Sequence, residues 1–206
     1  MSRPAVFLDR DGVLVEEIFY PETGEVEAPL RPDDVRLLPD AAAAARRLAQ
    51  AGYALVLVSN QAGYAKGKTS LRTLWLTHER FVALLAHEGV TLDAVFYSYS
   101  HPNGIVPFFS GTSLERKPGP YHLIIAAAQL DIDLARSWLV GDRATDVACA
   151  QAAGVRPILV ENVNYPIRRP AGVIGAANLA AAAAIIAEAG CGELALGAAE
   201  MRATQA

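Results

Sequence analysis

Short apolar runs recur along this chain, and each stops abruptly at a carboxylate, hydroxyl or turn residue before a helical stretch begins. Ala5 to Leu8 ends in Asp9-Arg10-Asp11-Gly12, Ala54 to Val58 in Ser59-Asn60-Gln61, and Ser137 to Val140 in Gly141-Asp142. Ala94 to Tyr97 and Pro157 to Val160 add two more runs of the same kind. Apolar stretches this short, rich in β-branched residues and bounded by polar turns, predict buried strands. The intervals between them carry helical signals. Asp40 is placed to cap a helix that Gly52 closes, and Ser70 opens another in which Leu71, Leu74, Trp75, His78, Val82 and Leu85 share a face up to Gly89. Further helices are expected over 121–130, 144–153 and 178–189, the last capped by Asn178. Residues 16–38 and 100–120 hold scattered Pro and Gly and read as loops.

Strands alternating with helices imply right-handed βαβ units, hence an α/β fold with a doubly wound parallel sheet. Residues 1–190 are expected to form one such domain and 191–206 a weakly structured C-terminal tail. Composition narrows the function classes. A net charge of −4 argues against a nucleic-acid partner, and no apolar run approaches the ~20 residues needed to span a bilayer. Two cysteines, Cys149 and Cys191, cannot build a disulfide framework. A soluble, cytoplasmic domain acting on a small molecule is the expectation, and nothing in the sequence speaks to its oligomeric state.

In open α/β sheets the ligand sits beyond the carboxyl ends of the strands. Asp9, Ser59 and Asp142 each fall at such an end, and Lys117 lies just before the helix that feeds the fourth strand. Paired carboxylates such as Asp9 and Asp11 either share a proton or bind a cation, and a hard, oxygen-loving cation suits them, with Asp142 as a third carboxylate. Ser59 suits phosphate oxygens, and Lys117 adds positive charge. A carboxylate nucleophile, a cation, a lysine and a hydroxyl together make a phosphoryl-transfer site.

The strings Asp9-Arg10-Asp11-Gly12-Val13, Ser59-Asn60-Gln61, Arg116-Lys117-Pro118 and Gly141-Asp142-Arg143-Ala144-Thr145-Asp146 resemble, in order, the four motifs of the haloacid dehalogenase superfamily of phosphatases. The first two also resemble those of the group of histidinol phosphatases and D-glycero-D-manno-heptose 1,7-bisphosphate phosphatases. The resemblance covers roughly residues 4–190 and implies a Rossmann-type fold without a large cap domain. It implies that Asp9 attacks phosphorus to form an aspartyl phosphate, and that Asp11 serves as acid and then base. It further implies that Mg²⁺ is held by Asp9, the backbone carbonyl of Asp11 and Asp142, and that Ser59 and Lys117 hold phosphate oxygens. Asp146 would orient Lys117 or a metal-bound water, and Asn60 and Arg116 would touch the phosphate or the body of the substrate.

The heptose phosphatases of this group carry a zinc loop of Cys-x-His and Cys-x-Cys pairs, and the sequence departs from it. Ser98, Ser100, Ser113 and Glu115 stand at those positions, so no thiolate remains and no zinc is expected. The loop would instead be pinned by burial of Ile105 to Phe109. His101 reads as a loop or substrate-contacting histidine, His78 as a packing residue, Arg168-Arg169 as a solvated loop and Cys149 as core. Three readings stay open: a Mg²⁺-dependent phosphatase of a sugar (heptose) bisphosphate, the same chemistry on histidinol phosphate or another small monoester, and a non-enzymatic receiver-like phospho-acceptor domain.

Overall fold

The structure, a computed structural model, describes residues 2–190; the expected tail at 191–206, with Cys191, lies outside the described residues. Strands β1 (Ala5–Leu8), β4 (Ala54–Asn60), β5 (Ala94–Ser98), β6 (Trp138–Gly141), β7 (Arg156–Val160) and β8 (Ile174–Ala176) form one sheet in the order β5-β4-β1-β6-β7-β8. Every pairing is parallel. Alternation along the central strands sends side chains to two separate cores. Val6, Leu8, Leu55, Leu57 and Val140 pack on one face with α1 (Ala41–Gln50), α2 (Leu71–His87) and α5 (179–190), through Leu48, Phe81 and Ile186. Ala5, Phe7, Val56 and Leu139 pack on the other with α3 (Tyr121–Leu130) and α4 (Ala144–Ala152), through Leu123, Cys149 and Ala150. Burial on both faces explains why the strands read as continuous apolar runs.

The structure departs from the sequence reading at four places. Residues 16–38 are not all loop: β2 (Ile18–Tyr20) and β3 (Glu25–Glu27) form an antiparallel hairpin, and 32–34 make a 3₁₀ turn. Three-residue strands are too short for alternation to register. The sheet's edge strand β8, Ile-Gly-Ala, escapes for the same reason. Asp40 does not cap α1 through its side chain, because its backbone is left-handed at φ 60°. A side-chain cap needs extended backbone. Ser70 has it (φ −94°, ψ 157°), and its Oγ accepts the Thr73 N–H at 3.0 Å; Asn178 Oδ1 likewise accepts the Ala181 N–H.

The fourth departure is the 100–116 loop. Phe108 is wholly exposed at φ 68° and Ile105 is 75% exposed, so the apolar run is not a buried plug. Successive turns, with Gly104 N–H and Gly111 N–H both donating to the His101 carbonyl, swing its tip outward. Backbone bonds hold the loop instead: the N–H groups of Ile105 and Val106 donate to the Ala65 carbonyl at 2.7 and 3.2 Å. Phe109 alone of the pair packs, edge-on to Tyr64 at 5.0 Å between ring centres.

Candidate active site

The centre of the sheet brings the motif residues together. Leu8 pairs with Leu57 on one side and Val140 on the other, so the segments leaving β1, β4 and β6 emerge side by side. Asp9 follows β1 directly; its Oδ1 accepts the Arg10 N–H at 2.7 Å, and Lys117 Nζ lies 3.0 Å from its Oδ2. Asp11 is held from both sides. Arg10 Nε donates to its Oδ1 at 3.0 Å, and Gln61 Nε2 donates to its Oδ2 at 2.6 Å and to Ser59 Oγ at 2.9 Å. Arg10 also donates to Gln61 Oε1 at 2.7 Å, and its guanidinium lies 5.7 Å from the centre of the Tyr97 ring. Burial raises the pKa of Asp11, reinforced by Asp9, against the lowering effect of Arg10. A carboxyl poised this way is suited to give up a proton and take one back.

Lys117 is buried with its charge paired. Its Nζ donates to the Val58 carbonyl at 2.8 Å and lies 2.6 Å from Asp146 Oδ1, an ion pair without hydrogen-bond angles. Burial lowers its pKa, but the charges of Asp146 and Asp9 outweigh this and raise it overall, keeping the ammonium charged. Asn60, expected at the phosphate, lines the cleft but has its amide engaged elsewhere: it exchanges two hydrogen bonds with the Lys117 backbone.

Asp142 is the most exacting group. It is buried, and its Oδ2 accepts from Arg143 Nε at 3.0 Å and from Asn162 Nδ2. Its Oδ1 has no hydrogen-bond partner among the described residues. Burial first, then Asp9 and Asp146, push its pKa up to about 7. Carboxylate oxygens of Asp9, Asp142 and Asp146 lie within 4.8 Å of one another. Asp146 is committed to Lys117 and to the Arg143 N–H. That leaves Asp9 and the unpaired Asp142 Oδ1 as oxygen donors for a cation, a donor set that fits Mg²⁺. Gly12 permits the approach: at φ 77°, a Cβ there would fall 2.5 Å from Asp142 Oδ2.

These groups open on a cleft of about 440 Å³, lined by Asp9, Asp11, Ser59, Lys117 and Asp142. Lys66, His101 and Arg116 also line it, with Glu27 paired to Lys66 at 3.5 Å. Arg116 donates to the Ser100 carbonyl at 3.0 Å, and no ion pair to it is seen among the described residues. Burial lowers the pKa of Arg116, and that of His101 together with the charges of Arg116 and Lys66. His78 packs against Tyr97, as its helical position suggested. The sequence reading did not single out Arg10 and Gln61, which hold Asp11, although both lie inside its own motifs. Nor did it single out Glu17, Asn162 and Tyr165, which lie around Asp142 and Arg143 and which no motif marks.

A doubly wound sheet with this rim defines a haloacid dehalogenase-like hydrolase. Residues 114–166 match the HAD-hydrolase-like family model. Over 165 residues the chain is 43% identical to a D-glycero-D-manno-heptose-1,7-bisphosphate 7-phosphatase of Thermosynechococcus vestitus, covering 78% of this chain and 80% of that one. A D-glycero-beta-D-manno-heptose-1,7-bisphosphate 7-phosphatase of Yersinia pestis is 36% identical over 173 residues, 81% of this chain and 84% of its own. The solved D,D-heptose 1,7-bisphosphate phosphatase of B. bronchiseptica, complexed with magnesium and phosphate, superposes with a TM-score of 0.75 at 30% identity, covering 90% of this chain and 98% of that chain. The chain belongs to the haloacid dehalogenase-like phosphatase family that contains these relatives. It is a phosphatase.

Proposed function

We propose that this phosphatase hydrolyses one ester of a sugar bisphosphate, a heptose 1,7-bisphosphate, through an aspartyl phosphate on Asp9. One observation carries the reading: Asp9 opens on the cleft between charged Lys117 and the unpaired oxygen of Asp142. Ser59 Oγ and Lys117 Nζ hold phosphate oxygens while an Asp9 oxygen attacks phosphorus. The leaving alkoxide takes a proton from Asp11. Asp11 then removes a proton from the water that attacks phosphorus, releasing inorganic phosphate and restoring Asp9. Mg²⁺, held by Asp9, Asp142 and the Asp11 carbonyl, would neutralise charge building on the transferred group. Asp146 keeps Lys117 in place and charged. No zinc, nucleic acid or membrane enters the reading; among the described residues no helix is long and apolar enough to cross a membrane. Residues 1–190 would act as one domain in the cytoplasm.

Arg116, which lines the cleft without an ion-pair partner among the described residues, favours a bisphosphate over histidinol phosphate. Its guanidinium suits a second anionic group and would repel the amine of histidinol phosphate, while Lys66 is already paired with Glu27 at 3.5 Å and His101 is held towards its neutral form. Free-phosphate detection over a panel containing both substrates tests the choice. Heptose 1,7-bisphosphate should give the higher kcat/KM. Preference for histidinol phosphate would overturn the substrate, and stable phosphorylation without turnover would favour the receiver-like alternative.

A further inference from the structure

Glu17 lies on the segment between β1 and β2, outside every motif, yet its side chain is only 3% exposed and sits beside the catalytic rim. A carboxylate buried to that degree must be paired, and Glu17 is paired on both oxygens. Its Oε1 meets Arg143 Nη2, and its Oε2 accepts from Asn162 Nδ2 at 2.9 Å and from Asn164 Nδ2 at 3.3 Å. Both Arg143 and Asn162 also reach Asp142, and both reach the same oxygen, Oδ2. Glu17 therefore grips, from the far side, the two donors that occupy one half of the Asp142 carboxylate.

The orientation of each donor is fixed independently. Asn162 Oδ1 accepts the N–H groups of Asn164 and Tyr165 at 2.8 and 3.3 Å, which turns the Nδ2 end towards Glu17 and Asp142. That amide nitrogen has two hydrogens, and the two carboxylates take one each. The Arg143 guanidinium lies 3.4 Å from the centre of the Tyr165 ring, so it is held in plane as well as by charge. Tyr165 in turn donates its hydroxyl to the Val26 carbonyl of the β2–β3 hairpin. No polar group of the described residues bonds to Asp142 Oδ1. The network saturates Oδ2 and reserves Oδ1.

We infer that Glu17 is a positioning residue for cation binding: by anchoring Arg143 and Asn162 on Asp142 Oδ2, it keeps Asp142 Oδ1 presented to the metal. The inference rests on the proposed Mg²⁺ site. Groups that orient a ligand of a metal are commonly worth ten- to a hundredfold in metal affinity. Removing the charge of Glu17 frees Arg143 to swing and leaves one Asn162 hydrogen facing no anion, so Asp142 can rotate and lose its preset oxygen.

The test is calorimetric titration of Mg²⁺ into substrate-free protein, with melting in EDTA alongside. Glu17→Gln should bind Mg²⁺ about ten- to a hundredfold more weakly than wild type. Its KM for the phosphate ester at saturating Mg²⁺ should be nearly unchanged. Asn162→Ser keeps an oxygen for the turn but has one O–H in place of the two amide hydrogens, so it cannot bond Glu17 and Asp142 at once; it should weaken Mg²⁺ similarly, and answers the question if Glu17→Gln does not fold. Folded variants that bind Mg²⁺ within twofold of wild type would overturn the inference and leave the phosphatase reading intact. A wild type that binds no Mg²⁺ at millimolar concentration would overturn the cofactor assignment as well.

Discussion

The side-chain amide of Asn60 clasps the backbone of Lys117 at both ends: Oδ1 accepts the Lys117 N–H at 3.1 Å, and Nδ2 donates to the Lys117 carbonyl at 3.2 Å. Residues 57 apart in sequence are thereby locked in register at the rim. The amide shapes the site by setting where the Lys117 side chain begins. Asn60→Ala should leave two backbone groups unpaired at a cost of about 1–3 kcal/mol. It should also lower kcat/KM by roughly ten- to a hundredfold through misplacement of Lys117. Thermal melting and steady-state kinetics check the two effects together; an unchanged kcat/KM would return Asn60 to a passive role.

The proposed nucleophile and the proposed acid–base residue make their own prediction. Asp9→Asn should abolish turnover, since an amide cannot form the acyl phosphate at a useful rate. Asp11→Asn removes the proton donor and should cost about 10²–10⁴-fold in kcat while leaving the fold intact. Arg10 and Gln61 both donate to this side chain, so the amide keeps one of the two bonds and turns its NH2 towards the other donor. Retention of more than a few per cent of wild-type turnover by Asp9→Asn would remove it as nucleophile.

Why some of this was readable in the sequence and some was not follows from the distances involved. Asp9, Ser59 and Asp142 could be placed at one rim because strand ends in a parallel sheet are set by local apolar runs, and those runs are unambiguous. Lys117 could be grouped with them by order of motifs. The pairing of Asn60 with the Lys117 backbone, and of Glu17 with Arg143 and Asn162, depends on loop paths that no periodicity encodes. The hairpin over β2 and β3 and the strand β8 are too short to leave a pattern. Phe108 misled in the opposite sense: an apolar side chain in an apolar run implies burial, but the turn at His101 to Gly111 puts it in solvent.

That correction changes what the loop should tolerate. Phe108→Ala should alter stability by no more than about 0.5 kcal/mol, because the ring touches nothing that is lost on truncation. Phe109→Ala removes the edge-on contact with Tyr64 and should loosen the loop, seen as faster amide exchange at Ile105 and Val106. Elemental analysis of the purified protein should return no stoichiometric zinc, since Ser98, Ser100, Ser113 and Glu115 offer no thiolate. About one zinc per chain would reverse that.

Cation binding should depend on pH with a defined sign. Asp142 must be ionised to hold a cation, and its folded-state pKa of about 7, raised by burial and then by Asp9 and Asp146, makes protons compete. Below that value the apparent affinity for Mg²⁺ should fall by about tenfold per pH unit, and above it should level off. Stability without metal runs the other way. A carboxyl whose pKa is raised on folding binds more protons folded than unfolded, so its contribution is lost as pH rises from about 4 to about 7. In EDTA, Asp142→Asn should therefore gain melting temperature relative to wild type between pH 5 and pH 8. A difference that is flat with pH would remove Asp142 as the titrating group.

Cys149 ties the site to its helix and is open to direct measurement. It is fully buried on α4, its Sγ donates to the Gly119 carbonyl at 3.3 Å, and Gly119 lies two residues beyond Lys117. Burial, against the lowering influence of Lys117, pushes the thiol up to about 12. The thiolate is the reactive form, so the native thiol should resist an aromatic disulfide reagent at pH 8 and react only through opening of the structure. A Cys191→Ser background isolates the signal. The raised folded value also fixes a sign: the folded state holds its proton where the unfolded thiol has lost it, so stability should decline as pH rises from about 9 towards 12. Cys149→Ala should cost about 1–2 kcal/mol through the lost contact and the small void, without changing the pH dependence of Mg²⁺ binding. Labelling of the native protein as fast as of the urea-unfolded chain would show that Cys149 is not the buried thiol described, and that α4 opens readily beneath Lys117.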